Sequence, residues 1–181
     1  PEWVDGAQFD ERFFTYLDVV MDLLKKPGPG EEALWQDLAR LGRRARHEVV
    51  YVVWDGDEIG RVILPISGQG MWSTLRGFIA LESDLNTIGA ATFYEQNETA
   101  GLGDQITDPG WLAGWQGRTL FGSDGRFRFR VAAGPVEPGS AAAGHEVDAI
   151  SGATVTGNSV TRLVQYWFGP HGYGPFLENL R

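Results

Sequence analysis

The spacing of apolar residues switches along the chain between helical and strand-like periods. From Gln8 to Lys26 they recur at Phe13, Phe14, Leu17, Val20, Met21 and Leu24, three and four apart, which predicts a helix with one apolar stripe. Pro27-Gly28-Pro29-Gly30 ends it. A second helical pattern, Leu34, Trp35, Leu38 and Leu41, follows Glu31-Glu32 and closes in the basic run Arg43 to Arg46, charges that suit a helix dipole. Residues 1–46 are therefore expected to form a helical segment packed on the main domain, which takes residues 47–181.

From Val49 the period becomes two. Val49 to Trp54, a turn at Asp55-Gly56-Asp57, and Ile59 to Ile66 predict a β-hairpin. Gly77 to Glu82, a polar turn at Ser83 to Asn86, and Thr87 to Gln96 predict a second. Arg126 to Val131 alternates cleanly and reads as a further strand. Asp108-Pro109-Gly110-Trp111 opens a short helix to Gln116, with aspartate as cap and proline in first position. Gly134 to Gly144 reads as a loop, and Val160, Leu163, Val164 and Trp167 place a last helix over Thr156 to Phe168. The expected fold class is α+β, an antiparallel sheet packed with helices.

Composition narrows the function. In 181 residues, 43% hydrophobic and 22% charged, a disordered, collagen-like or coiled-coil chain is excluded. A formal net charge of -9 without any long basic cluster argues against a nucleic-acid partner. With no cysteine there is no disulfide, iron–sulfur cluster, thiolate zinc site or cysteine nucleophile. The longest apolar stretches fall short of the ~20 residues of a membrane helix. The chain opens on Pro1, so a targeting or anchoring segment is expected outside it.

Most motif candidates have an ordinary reading. His47, His145 and His171 are scattered and form no His-Glu-x-x-His pair, so no metal site is expected. Asp55-Gly56-Asp57-Glu58 lacks the ligand spacing of a calcium loop and belongs at a turn. Gly68-Gln69-Gly70 lacks a third glycine opening a helix, and Gly-x-Ser-x-Gly is absent. The informative segment is Asp148-Ala149-Ile150-Ser151-Gly152-Ala153-Thr154, where a loop gives way to the last helix. Small residues there let backbone amides approach a phosphate at a helix N-terminus, and an ordinary Ser/Thr-rich helix start is the alternative.

Asp148 to Thr154 resembles the Asp-x-x-Ser/Thr-Gly-Ala-Thr/Ser signature of covalently flavinylated FMN-binding domains. Leu64 to Thr74, Glu98 to Gly103 and Phe168 to Leu177 appear in the family's order. Together they narrow the resemblance to the NqrC family, flavoproteins of the Na+-translocating NADH:quinone oxidoreductase, with the paralogous flavoprotein of the ion-pumping Rnf complex as the alternative within the family. A non-enzymatic extracytoplasmic binding module is the alternative outside it. The resemblance implies that a flavin transferase joins the phosphate of FMN to the hydroxyl of Thr154, with Asp148, Ser151, Gly152 and Ala153 in the attachment segment. It also implies flavin contacts from Trp72, Ser73, Thr74, Glu98, Thr99, Gly101 and Leu102, and an electron carrier working with the other subunits of a membrane redox complex. It places the domain on the periplasmic side of the inner membrane, tethered by an N-terminal anchor that this chain does not contain.

Overall fold

The computed structural model describes residues 14–18, 37–42 and 47–181. Five antiparallel strands lie in chain order: β1 (Phe14–Asp18), β2 (His47–Asp55), β3 (Glu58–Gln69), β4 (Thr74–Glu82) and β5 (Ile88–Glu95). The two-residue period acts as expected. In β3, Val62, Leu64, Ile66 and Gly68 are buried, while the residues between them are only partly so. Both predicted hairpins are present. Asp55 pairs with Glu58, so the first closes through two residues, and Gly56 at φ 62° supplies the positive φ that such turns require.

The predicted helix over Gln8–Lys26 is not what forms at Phe14–Asp18, which is strand β1, paired from Phe14↔Tyr51 to Asp18↔His47. Phe-Thr-Tyr-Leu is rich in strand formers, and the free edge of β2 offers a row of backbone partners that outweighs a stripe of apolar spacing. The rest of that stretch lies outside the described residues. The second predicted helix is likewise not continued at its end. Asp37 accepts hydrogen bonds from Leu41 N (2.9 Å) and Gly42 N (3.0 Å), and Arg40 and Gly42 take φ 51° and 63°, which makes residues 37–42 a turn. Leu34 and Trp35 lie outside the described residues.

After β5 comes a 3-10 turn (Gly103–Thr107), then α1 (Pro109–Ala113), capped as expected by Asp108 through Trp111 N at 2.9 Å. The Arg126–Val131 alternation holds in burial, with Phe129 and Val131 inside and the arginines outside, but only Arg130–Val131 forms a strand, β6. Its partner is the equally short β7 (Glu146–Val147), in parallel. Helices α2 (Thr154–Trp167) and α3 (Gly174–Leu180) end the chain.

α2 lies against β3 and β6, burying Val160, Leu163, Val164 and Trp167. Gly68 lets it approach, since a Cβ there would lie 3.0 Å from Leu163. The C-terminal block fixes this docking. Trp167 Nε1 donates to the Ser67 carbonyl at 2.6 Å, Tyr173 donates to the Pro65 carbonyl at 2.7 Å, and the two rings stack at 5.1 Å. The N-terminus of α2 is thereby held beside the loops at one end of the sheet.

Candidate cofactor site

Three segments meet at that end. The first is the turn joining β3 to β4, closed by Gly70 N donating to the Ser73 carbonyl at 2.7 Å, with Met71 and Trp72 at its tip. The second is Glu98 to Gly103, folded back on itself by Leu102 N and Asp104 N, which both donate to the Thr99 carbonyl. The third is Ser151-Gly152-Ala153 running into α2.

Glu98 ties them together. Its Oε1 accepts from Trp72 N (2.9 Å), Ser73 N (3.2 Å) and Ser73 Oγ (3.2 Å), and its Oε2 from Met71 N (3.0 Å) and Thr156 Oγ1 (2.7 Å). Glu98 is only 8% exposed. Burial pushes its carboxyl pKa up, but the bonds from Thr156 and from the three backbone amides outweigh this and hold the pKa below the ordinary value. Ser73 Oγ also accepts from Asn97 N at 2.8 Å. The fit leaves no room for extra carbon: a Cβ on Gly70 would lie 2.6 Å from Glu98 Oε1, and one on Gly103 would lie 2.8 Å from Thr156 Oγ1.

Around this anchor the surface is apolar. Trp72 is 66% exposed, its indole N–H donating to Thr99 Oγ1 at 3.1 Å, and Met71, Leu102 and Val155 are exposed as well. Leu102 reaches over Gly152, where a Cβ would lie 2.7 Å from Leu102 Cδ2. Gly152 has φ 70°, a left-handed turn that glycine takes without strain. α2 then starts at Thr154 with no side-chain cap and no acidic residue in its first turn. Its leading amides thus present the positive end of the helix dipole. Thr154 is exposed, whereas Thr156 is 1% exposed and bonded to Glu98.

Of the residues singled out in the sequence, Trp72, Ser73, Glu98, Thr99, Leu102 and Gly152 to Thr154 come together here. Gly101, φ 75°, makes the turn that brings Leu102 round. Thr74 is exposed at the first position of β4 and pairs with Gln69, behind the turn rather than in it. Asp148 stands apart. Its Oδ1 accepts from Val136 N at 2.7 Å and its carbonyl from Trp111 Nε1 at 2.9 Å, so it braces the segment from behind. Ser151 is exposed in the turn before Gly152.

The FMN-binding domain family matches residues 70–169, which brackets all three segments. The solved structure of NqrC from Shewanella oneidensis superposes with a TM-score of 0.75 at 34% identity, over 99% of this chain and 74% of that one. The chain belongs to the NqrC family of FMN-binding domains. The Pseudomonas aeruginosa member, named as a subunit of the Na(+)-translocating NADH-quinone reductase, is 43% identical over 146 residues, 81% of this chain and 56% of its own length. The Haemophilus ducreyi member, named in the same way, is 37% identical over 180 residues, 98% of this chain and 65% of its own. The chain thus spans roughly half to two thirds of the curated NqrC relatives it matches. The solved structure of the corresponding protein from Parabacteroides distasonis aligns with a TM-score of 0.60 at 34% identity, over 73% of this chain and 63% of that one.

Within the NqrC fold, the sequence reading missed three contributors. Gly70 and Gly103 make room for Glu98 and Thr156, and Thr156 supplies a buried donor. The glycines stand inside the two blocks that carried the resemblance. Thr156 gave no signal beyond lying two residues past Thr154, on the opposite side of a helix.

Proposed function

We propose that this chain carries FMN covalently, through a phosphoester to the Thr154 hydroxyl, as the electron-carrying NqrC domain of a Na+-translocating NADH:quinone oxidoreductase. The observation that carries the reading is one exposed hydroxyl at the uncapped N-terminus of α2, beside an exposed apolar surface made by Trp72, Met71, Leu102 and Val155.

The residues present suit FMN. A phosphodiester at Thr154 keeps about one negative charge, which the free amides of the α2 first turn accommodate. Trp72 and Leu102 offer apolar faces to the flavin ring, and the hydroxyls of Ser73 and Thr99, with the backbone at Gly101, offer polar edges. Glycine at 152 makes room for Leu102 beside the start of α2. Asp148, Ser151 and Ala153 complete the segment on which a flavin transferase acts, with Asp148 holding it through Val136 N. Once bound, FMN supplies one- and two-electron redox chemistry. This chain's own part is to bind and orient the ring and to keep the carboxylate of Glu98 ionised and paired. Electrons come from and go to other subunits of the membrane complex, and the domain works on the periplasmic side of the inner membrane, held there by an N-terminal anchor.

Co-expression of variants with a flavin transferase tests the attachment. Thr154→Ala is expected to fold and to gain no FMN mass, because no other hydroxyl stands at that place on the first turn. Thr156→Ala is expected to keep the full label. Loss of the label in the Thr156 variant alone would overturn the assignment.

A further inference from the structure

Two carboxylate oxygens offer about four lone-pair sites. At Glu98, five protein donors already address them, from Met71, Trp72, Ser73 (twice) and Thr156, and the group is almost wholly buried. No acceptor capacity is left over for the edge of a ligand. Its partners, by contrast, belong to the elements that would hold one: three consecutive amides of the turn that carries Trp72, and a hydroxyl on the first turn of the helix that carries Thr154. Trp72 itself is fixed at both ends, its amide on Glu98 and its indole N–H on Thr99.

We propose that Glu98 is a positioning residue that acts on the flavin only through Trp72, by pinning the Met71–Ser73 turn to the first turn of α2. The part that concerns flavin rests on the FMN reading above; the pin itself does not. The pin exists in the protein alone, so the aromatic platform and the attachment hydroxyl are set at a fixed separation before any cofactor arrives. Glutamine cannot replace the carboxylate, because one of its two terminal atoms is a donor. Whichever way the amide turns, that NH2 faces either Met71 N–H and Thr156 O–H or the amides of Trp72 and Ser73.

The test uses Glu98→Gln, Trp72→Ala and the double variant, each before and after treatment with flavin transferase and FAD. In the flavin-free protein, Glu98→Gln is expected to speed amide exchange roughly tenfold or more at Met71 or at Trp72 and Ser73, whichever side the amide NH2 takes, the scale of losing a charge-assisted hydrogen bond. In the labelled protein, flavin fluorescence is expected to rise in Glu98→Gln and in Trp72→Ala, since a stacked indole quenches it. The double variant is expected to match Trp72→Ala alone. Unchanged exchange at all three of Met71, Trp72 and Ser73, or fluorescence effects that multiply in the double variant, would overturn the proposal and make Glu98 a direct flavin contact. Should Glu98→Gln fail to fold, Thr156→Val removes one donor with little change of shape. It is expected to speed the same amides, and Thr156→Ser to restore them; no change with valine would overturn the pin. If unmodified protein gains no FMN mass, the FMN reading fails, while the exchange measurements still decide the pin.

Discussion

Thr154 and Thr156 stand two residues apart on one helix and meet opposite environments. At about 100° per residue their side chains point roughly 200° apart, so one faces out and the other in. Thr156 spends its hydroxyl on Glu98, and Thr154 keeps its own at the surface. The Glu98 carboxylate makes stability depend on pH. Because folding lowers its pKa below the ordinary 4.5, its contribution is complete above that pH and drains away as the pH falls through the lower, folded-state value. Urea unfolding of the flavin-free protein is expected to show a stability loss below about pH 4.5 that Glu98→Gln flattens. An unchanged acid limb in the variant would assign the loss to other carboxylates. Gly152 allows a second expectation. With φ 70° and Leu102 close over it, Gly152→Ala is expected to cost about 1–2 kcal/mol in urea unfolding and to displace Leu102, visible as a changed chemical shift of its methyl groups.

Among the elements, α1 and the residues after it do more packing than their length suggests. Trp115 is fully buried between Phe93, Trp111 and Phe129, with ring centroids 6.1, 5.5 and 4.6 Å away. Trp115→Ala is expected to cost about 3–5 kcal/mol. Trp115→Phe is expected to cost distinctly less, because the buried indole N–H has no hydrogen-bond partner to lose. Equal losses in thermal melts of the two variants would contradict that reading. Elements whose own residues decide them were legible in the sequence: the two hairpins with their Gly and Asp turns, the Asp108 cap, and the apolar stripe of α2. Those decided by distant partners were not. β1 exists because β2 has an edge to fill, and Arg126–Val131 buries its alternate residues without gaining a partner strand for most of its length. In the site, Thr154 and Trp72 could be picked from motif residues, but the role of Glu98 could not. Its five donors come from two segments up to 58 residues away, and a loop glutamate between Asn97 and Thr99 looks solvated until those segments are assembled.

In the whole molecule, a sheet, a docked C-terminal helix and three loops converge on one end, where Trp72, Met71, Leu102 and Val155 leave apolar surface near the exposed Thr154. Inside the anchor, the Glu98 carboxylate is already satisfied by its five donors. That arrangement is the one the proposed phosphoester at Thr154 requires. Solved NqrC structures share this framework, so the framework is not what needs testing. The direct test is the intact mass of the protein after co-expression with an active flavin transferase, followed by peptide mapping. The expected result is a gain of one esterified FMN, retained on denaturation and located on the peptide that contains Thr154. No gain of mass, with the transferase active on a control substrate, or a gain mapped to another residue, would contradict it.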